Sequence, residues 1–264
     1  FIKFIILNIF ESPSSLIKIY DFAFGGCESL VKISIPSSVK YINDYVFYHC
    51  YSLEEVTLPS SITEINNYVF NECKKLKKIN IPSSVKKGYF AFLGCYSLTD
   101  LIIPSSVTEL CQGCFAYCKS LINVSFEEPC SIKNLSETFA GVLIEEVSIP
   151  TSVTEIYKTF DKCTSLTDVD IPSSVSKICY RSFRECTSLT SIVIPSSVIL
   201  IEDEAFGACA SLTNVGILST SIDIKKYAFI LCPAFQKKTN SNSNDESEDK
   251  NTNSKIEDKK RYIC

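Results

Sequence analysis

A unit of 22 or 23 residues recurs along most of the chain, and this repeat constrains the fold more than any other feature of the sequence. Three residues mark equivalent positions in successive units. They are the proline of a Pro-Ser-Ser-Val-like tetrapeptide, a phenylalanine, and a cysteine three residues after that phenylalanine. The prolines are Pro13, Pro36, Pro59, Pro82, Pro104, Pro150, Pro172 and Pro195. The phenylalanines are Phe24, Phe47, Phe70, Phe92, Phe115, Phe139, Phe160, Phe183, Phe206 and Phe229. Ten phenylalanines at one spacing indicate repeated copies of one structural unit.

A unit this short cannot bury its own apolar side chains. When such units stack end to end, like residues lie above one another and form one continuous core. Hydrophobic residues make up 45% of the chain, which is enough for such a core. We therefore predict a solenoid of about ten coils of 22–23 residues, with a parallel β-sheet on one face.

The second full unit illustrates how one coil is expected to fold. Leu30–Ile35 ends in an alternating apolar pattern that is typical of a short strand, and Pro36 ends the strand because it has no N–H to donate. Two serines then favour a turn, after which Val39–Ile42 re-enters the core as a possible second short strand. The segment Asn43–Cys50 is too short for a full helix, so a turn or a single helical turn is expected there.

The repeat resembles that of the BspA-like branch of leucine-rich repeat proteins, in which Ile-Pro-x-x-Val-x-x-Ile-x-x-x-Ala-Phe-x-x-Cys-x-x-Leu is the characteristic unit. The resemblance covers residues 1–235. It implies a curved solenoid with a parallel sheet along one face. It also implies a non-enzymatic protein that binds other proteins, since members of this family are typically surface-associated binding or adhesion proteins of bacteria and anaerobic protists.

Two regions depart from the repeat. Around residues 126–144 the unit is degenerate, because Phe126–Ile132 carries two extra residues and the cysteine marker is missing near Gly141. We interpret this as a bulge or kink within one domain, which spans residues 1–235. Residues 236–264 are polar and charged, with only Ile256 apolar between Gln236 and Arg261, and are predicted to form a disordered tail.

Composition argues against several functional classes. The net charge is −4, which disfavours nucleic-acid binding, and no apolar run is long enough to span a membrane. A single histidine, His49, lies at a variable surface position without a predicted nucleophile or acid beside it, so an enzyme is not expected. Cys111, Cys114 and Cys118 are close in sequence but lack a fourth zinc ligand, and we predict no metal or other cofactor.

The cysteines are best explained as part of the core. Nine of the 14 occupy the same repeat position: Cys27, Cys50, Cys73, Cys95, Cys118, Cys163, Cys186, Cys209 and Cys232. Equivalent side chains in adjacent coils point the same way, which is poor geometry for disulfides. The sequence therefore predicts a buried ladder of free thiols.

The strongest candidate for a binding surface is a column of aromatic residues two positions before the repeat phenylalanine. It comprises Phe22, Tyr45, Tyr68 and Phe90 in consecutive coils. If these side chains are exposed, they form a stripe suited to a protein partner; the alternative is that they pack along the convex side. Outward-facing charges on the sheet alternate from Lys32 and Glu55 onward and become acidic later, without an aromatic or arginine anchor.

The end of the sequence bears on localisation. Lys259, Lys260 and Arg261 precede Cys264, a context that resembles a prenylation site, although the three residues that should follow the cysteine are missing. Cys264 is therefore a candidate for lipidation and for a peripheral membrane tether. We expect a monomer that binds protein partners, possibly host or extracellular proteins, at the cell surface or the plasma-membrane periphery. The alternative is a cytosolic leucine-rich repeat scaffold or regulatory adaptor.

Overall fold

The computed structural model describes residues 16–88, 91–110 and 112–235, and these form a parallel β-solenoid. Two columns of nine short strands run along it, so there are about nine turns. No α-helix occurs in the described ranges; one short 3₁₀-helix, Pro233–Phe235, follows the last coil. The predicted solenoid of leucine-rich repeats is confirmed.

The strands, numbered in chain order, alternate between the two columns. The first column holds β2 (Lys32–Ser34), β4 (Glu55–Thr57), β6 (Lys78–Ile79), β8 (Asp100–Ile103), β10 (Asn123–Phe126), β11 (Glu146–Ser148), β13 (Asp168–Asp170), β15 (Ser191–Ile194) and β17 (Asn214–Ile217). The second column holds β1 (Lys18–Ile19), β3 (Tyr41–Ile42), β5 (Glu64–Ile65), β7 (Lys87–Gly88), β9 (Glu109–Leu110), β12 (Glu155–Ile156), β14 (Lys177–Ile178), β16 (Leu200–Ile201) and β18 (Asp223–Ile224). The sequence did not decide whether the coil contains a second short strand, and the structure shows that it does.

Strands in each column pair in parallel with equivalent repeat positions opposite one another. In the first column Lys32 lies opposite Glu55 and Ile33 opposite Val56. Hydrogen-bonded pairing is interrupted at intervals, giving sheets of β2-β4-β6, β8-β10, β11-β13 and β15-β17 in the first column. Within a strand the central residue is buried and its neighbours are exposed, as Ile33 shows between Lys32 and Ser34.

A hydrogen-bonded turn segment forms the third face of each coil. Between β3 and the buried Cys50 the chain makes successive turns, which resolves the choice between a turn and a helical turn. The N–H of Tyr45 donates to the carbonyl of Asn67 at 2.9 Å, and the N–H of Phe47 donates to that of Val69 at 2.9 Å. The turn segments of adjacent coils are thus joined by backbone hydrogen bonds just as the strands are. We call this side of the solenoid the turn face.

The Pro-Ser-Ser-Val tetrapeptide forms the corner between the two strand columns. The N–H of Val39 donates to the carbonyl of Pro36 at 3.0 Å, closing a turn that recurs in other coils. The second serine hydroxyl then donates to the preceding coil. Ser174 Oγ, for example, lies 2.7 Å from the carbonyl oxygen of Val153. These contacts explain why the tetrapeptide repeats: it turns the chain and binds it to the coil before.

The core is a stack of phenylalanine rings along the solenoid axis. Phe47 and Phe70 are fully buried, with ring centroids 5.4 Å apart and planes 6° from parallel. The same stacking continues to Phe183 and Phe206, at 5.1 Å. The step between coils is set by the strand spacing, and a flat ring fills that step without leaving a void.

The repeat cysteines also bond between coils. Cys73 Sγ donates to the carbonyl of Phe47 at 3.1 Å, and Cys186 Sγ donates to that of Phe160 at 3.2 Å. The cysteine is therefore a hydrogen-bond donor as well as the small apolar residue that the sequence predicts. Burial raises the pKa of the Cys50 thiol to about 12, which keeps the donor proton in place. All the described cysteines are free thiols.

The degenerate repeat is where this regularity relaxes. Val142, one residue after Gly141, occupies the cysteine position and has no S–H to donate. The ring centroids of Phe115 and Phe139 are 6.1 Å apart, and Phe126 packs its ring edgewise on Phe139 at 6.3 Å. The irregularity predicted around residues 126–144 is thus a local loosening within one continuous solenoid.

Cys73 and Val142 occupy the same repeat position in different coils. Substituting each with the other residue type tests the role of the thiol. Cys73→Val keeps an apolar side chain but removes the second hydrogen bond to the Phe47 carbonyl. We expect it to lower the free energy of unfolding by about 0.5–1 kcal/mol, measured by urea denaturation. Val142→Cys should raise that free energy by a similar amount, because it restores a donor beside the Phe115 carbonyl. Equal stability of all three proteins would show that the thiol only fills space.

Candidate binding surface

The aromatic column lies on the turn face and is stacked from coil to coil. The rings of Phe22 and Tyr45 have centroids 4.7 Å apart and are 4° from parallel. Those of Tyr45 and Tyr68 are 5.0 Å apart and 11° from parallel. The fourth member, Phe90, lies outside the described residues. Three of the four residues singled out from the sequence therefore form one ladder.

The ladder is exposed at its edge. Phe22 is 54% exposed, and Tyr45 and Tyr68 are half-buried, because each ring covers the face of the next. All three residues have left-handed backbone dihedrals, with φ of 57°, 59° and 57°. Such a conformation costs a residue with a side chain about 1 kcal/mol or more. The rings thus pack along the turn face and still present their edges to solvent.

A second aromatic group adjoins the ladder. The imidazole of His49 stacks on the ring of Tyr48 at 3.7 Å between centroids and faces that of Tyr51 at 5.1 Å. Tyr48 also meets Tyr45 edgewise at 5.5 Å. We call this combined patch the aromatic surface; its members are Phe22, Tyr45, Tyr48, His49, Tyr51 and Tyr68.

Alternating cations and aromatic rings extend the patch along the solenoid. Lys74 Nζ lies 4.6 Å from the centroid of Tyr51 and 5.8 Å from that of Tyr96. Lys119 Nζ lies 5.2 Å from the Tyr96 centroid. These four residues share the repeat position after the cysteine, so an alternation of tyrosine and lysine at that position was the sequence signal for this column. The two lysines were not among the residues that the sequence analysis singled out.

In later coils the ladder position carries ion pairs in place of rings. Lys158 Nζ lies 2.9 Å from Glu137 Oε1, and Arg181 Nε lies 2.9 Å from Glu204 Oε2. The hydrogen bond that Arg181 donates lowers the pKa of Glu204, and the hydrogen bond that Lys158 donates to Glu137 raises the pKa of Lys158. These charges bind one another, whereas the edges of the aromatic rings remain available to a partner.

Arg184 ties a further set of carboxylates to the same region. Its guanidinium lies 2.6 Å from Glu185, 3.4 Å from Glu204 and 3.6 Å from Asp161. Asp161 is largely buried, and this desolvation raises the pKa of its carboxyl group despite the arginine. The later coils are thus cross-linked by an internal ionic network.

The other candidates are placed as follows. Cys111 and Cys264 lie outside the described residues, so the structure does not describe the lipidation site. Cys118 Sγ donates to the carbonyl of Phe92 at 3.1 Å, and Cys114 is buried in the core. In the described part of the chain, no group of three or more histidine, cysteine, aspartate or glutamate side chains could hold a metal ion. A search of the same part finds no helix that is long and apolar enough to cross a membrane.

The chain belongs to the BspA-type leucine-rich repeat family. The model of the "BspA type Leucine rich repeat region (6 copies)" matches residues 1–122, 40–160 and 130–253. The resemblance drawn from the sequence is therefore confirmed. No curated protein matches the chain.

Several solved structures are similar in fold. A leucine-rich repeat protein from Bacteroides ovatus is 26% identical, covers 83% of this chain and 81% of its own, and has a TM-score of 0.41. A leucine rich cell surface protein from Faecalibacterium prausnitzii is 24% identical, with coverages of 84% and 76% and a TM-score of 0.47. The pneumococcal vaccine antigen PcpA is 18% identical, with coverages of 75% and 69% and a TM-score of 0.46.

The ion pair of Arg181 and Glu204 should make the stability of the fold depend on pH. The pKa of Glu204 is lower in the folded than in the unfolded chain, so the pair stabilises the fold above the unfolded pKa and loses its effect as the pH falls. Glu204→Gln should lower the free energy of unfolding at pH 7 by up to about 1 kcal/mol and change it little at pH 3. Glu64→Gln, at an exposed position of β5, is the control. An equal loss at both pH values would contradict the ionic explanation.

Proposed function

We propose that this protein is a non-enzymatic binding module that contacts a partner protein through its aromatic surface. The observation that carries the proposal is the stacked ladder of Phe22, Tyr45 and Tyr68, with Tyr48 and His49 beside it. Tyrosine and histidine edges combine apolar area with hydrogen-bonding atoms, and tyrosine is among the residues that dominate binding energy in protein interfaces.

Stacking prepares these side chains for binding. Because the ring of Tyr45 is held between those of Phe22 and Tyr68, it has little rotamer freedom left to lose when a partner docks. The left-handed backbone at Tyr45 is fixed by a hydrogen bond to the adjacent coil, which its N–H donates to the carbonyl of Asn67 at 2.9 Å. The ring faces are covered by one another, which favours a protein contacting the ring edges over a flat ligand stacking on the faces.

We place this module at the cell surface or the plasma-membrane periphery, with host or extracellular proteins as partners and the protein itself a monomer. Membership of the BspA-type family supports the surface location. A lipid on Cys264 would instead tether the protein to the inner face of the membrane and argue against extracellular partners, and the intact mass of the natural protein would reveal such a lipid. Free thiols favour the alternative, a cytosolic scaffold or regulatory adaptor. Protease treatment of intact cells separates the two, because only a surface protein is digested.

Substituting the ladder tests the function. Tyr45→Ser/Tyr68→Ser should weaken binding to a partner by about tenfold or more, because it removes two central aromatic contacts. The partner is first selected from an array of purified extracellular and cell-surface proteins, and affinity is measured by surface plasmon resonance. Tyr41→Ser is the matched control, since Tyr41 is a tyrosine of the same coils, 57% exposed, on β3 rather than the turn face.

Two outcomes would contradict the proposed site. One is unchanged affinity of the double variant, provided its circular dichroism spectrum and unfolding temperature show that it is folded. The other is an equal loss in Tyr41→Ser, which would place the binding surface on the strand column instead of the turn face.

A further inference from the structure

A groove opens on the outer face of the first strand column at the degenerate repeat. It has a volume of about 650 Å³ and lies across β8, β10 and the segment leading into β11. Ile102 and Ile122 form apolar walls and are 59% and 47% exposed, while Leu101 is buried beneath them. Adjacent exposed apolar side chains with a polar rim are a feature of docking sites.

The groove lies at one of the steps of the first column where neighbouring strands do not pair. β10 pairs with β8, and β11 pairs with β13, but β10 and β11 belong to different sheets although they are neighbours. The two extra residues of the degenerate repeat follow β10 directly.

The rim of the groove is acidic. Asp100, Glu145 and Glu146 line it, and all three are exposed. Glu146 lies directly opposite Asp168 across the strand pair, and like charges in that position are destabilising. Among the described salt bridges none involves these four carboxylates.

Earlier in the same column the charges are compensated. Lys32 Nζ lies 2.8 Å from Glu55, and Lys77 Nζ lies 2.8 Å from Glu54. At the groove the carboxylate of Asp100 instead accepts hydrogen bonds from Thr99 at 2.6 Å and Asn123 at 2.7 Å, which fix it in place. The exposed carboxylates of Glu145 and Glu146, together with the fixed carboxylate of Asp100, lie beside the exposed isoleucines and are complementary to a segment that carries positive charge next to apolar side chains.

We propose that residues 259–263 of this chain bind in the groove. The segment reads Lys-Lys-Arg-Tyr-Ile, so three cations are followed by two apolar side chains. The cations would meet Asp100, Glu145 and Glu146, and Tyr262 and Ile263 would cover the isoleucine walls. The proposal is independent of the aromatic surface, which lies on a different face.

The chain between the solenoid and this segment is long enough. From the coil of β10 to that of β17 there are four steps along the axis, or about 20 Å at the usual strand spacing. Residues 236–258 can span up to about 75 Å when extended. Because the segment is tethered, its effective concentration is of the order of millimolar, so even weak affinity keeps the groove occupied.

Nuclear magnetic resonance of the full-length ¹⁵N-labelled protein tests this directly. A bound segment tumbles with the solenoid, so we expect the amide signals of residues 259–263 to be roughly threefold or more weaker than those of residues 240–255. Glu145→Lys/Glu146→Lys and, separately, Ile102→Ser should restore sharp signals. Glu28→Lys/Glu64→Lys makes the same change of charge at exposed positions away from the groove and should leave the signals weak.

Three outcomes would overturn the proposal. The first is equally sharp signals for residues 259–263 and 240–255 in the unmodified protein. The second is weak signals that both groove variants leave unchanged while the variants remain folded. The third is weakening that disappears on dilution from about 500 to 20 µM, because the occupant would then be the segment of a second copy.

Discussion

The ring of Phe47 is held between those of Phe24 and Phe70, at centroid distances of 5.3 and 5.4 Å, and almost every other contact in the protein follows the same pattern. A coil of 22 or 23 residues has no interior of its own, so its apolar side chains and its backbone are satisfied by the coils on either side. The strand pairs, the turn-face hydrogen bonds and the bonds from Cys73 and Ser174 all connect one coil to an adjacent coil along the solenoid axis.

One consequence is that the contacts of a surface side chain are set more by the equivalent residues in adjacent coils than by its neighbours in sequence. On the turn face, the same left-handed position holds Tyr45 in one half of the molecule and Arg181 in the other. The backbone is equivalent at both, but one side chain stacks on its counterparts and the other pairs with Glu204. Binding properties can therefore differ between the halves without any change in the scaffold.

The period alone was enough to predict the stacked phenylalanines and the aromatic column, because residues one repeat apart become vertical neighbours. Contacts that step between different repeat positions were not predictable in this way. The bond from Cys50 Sγ to the carbonyl of Phe24 is one of these, because it depends on how far each coil is offset from the next. The extra residues after β10 indicated an irregularity, but only the structure shows the groove that lies beside it.

The turn face also differs from the strands in the direction of its hydrogen bonds. Here the N–H groups of Tyr45, Phe47 and His49 all donate towards the next coil, and those of Phe206 and Ala208 do the same near the other end. Peptide dipoles aligned in this way add along the solenoid axis, as they do in a helix. The turn face therefore carries an electrostatic polarity of its own, negative towards the first coil and positive towards the last. A charged partner lying along this face would bind in a preferred orientation.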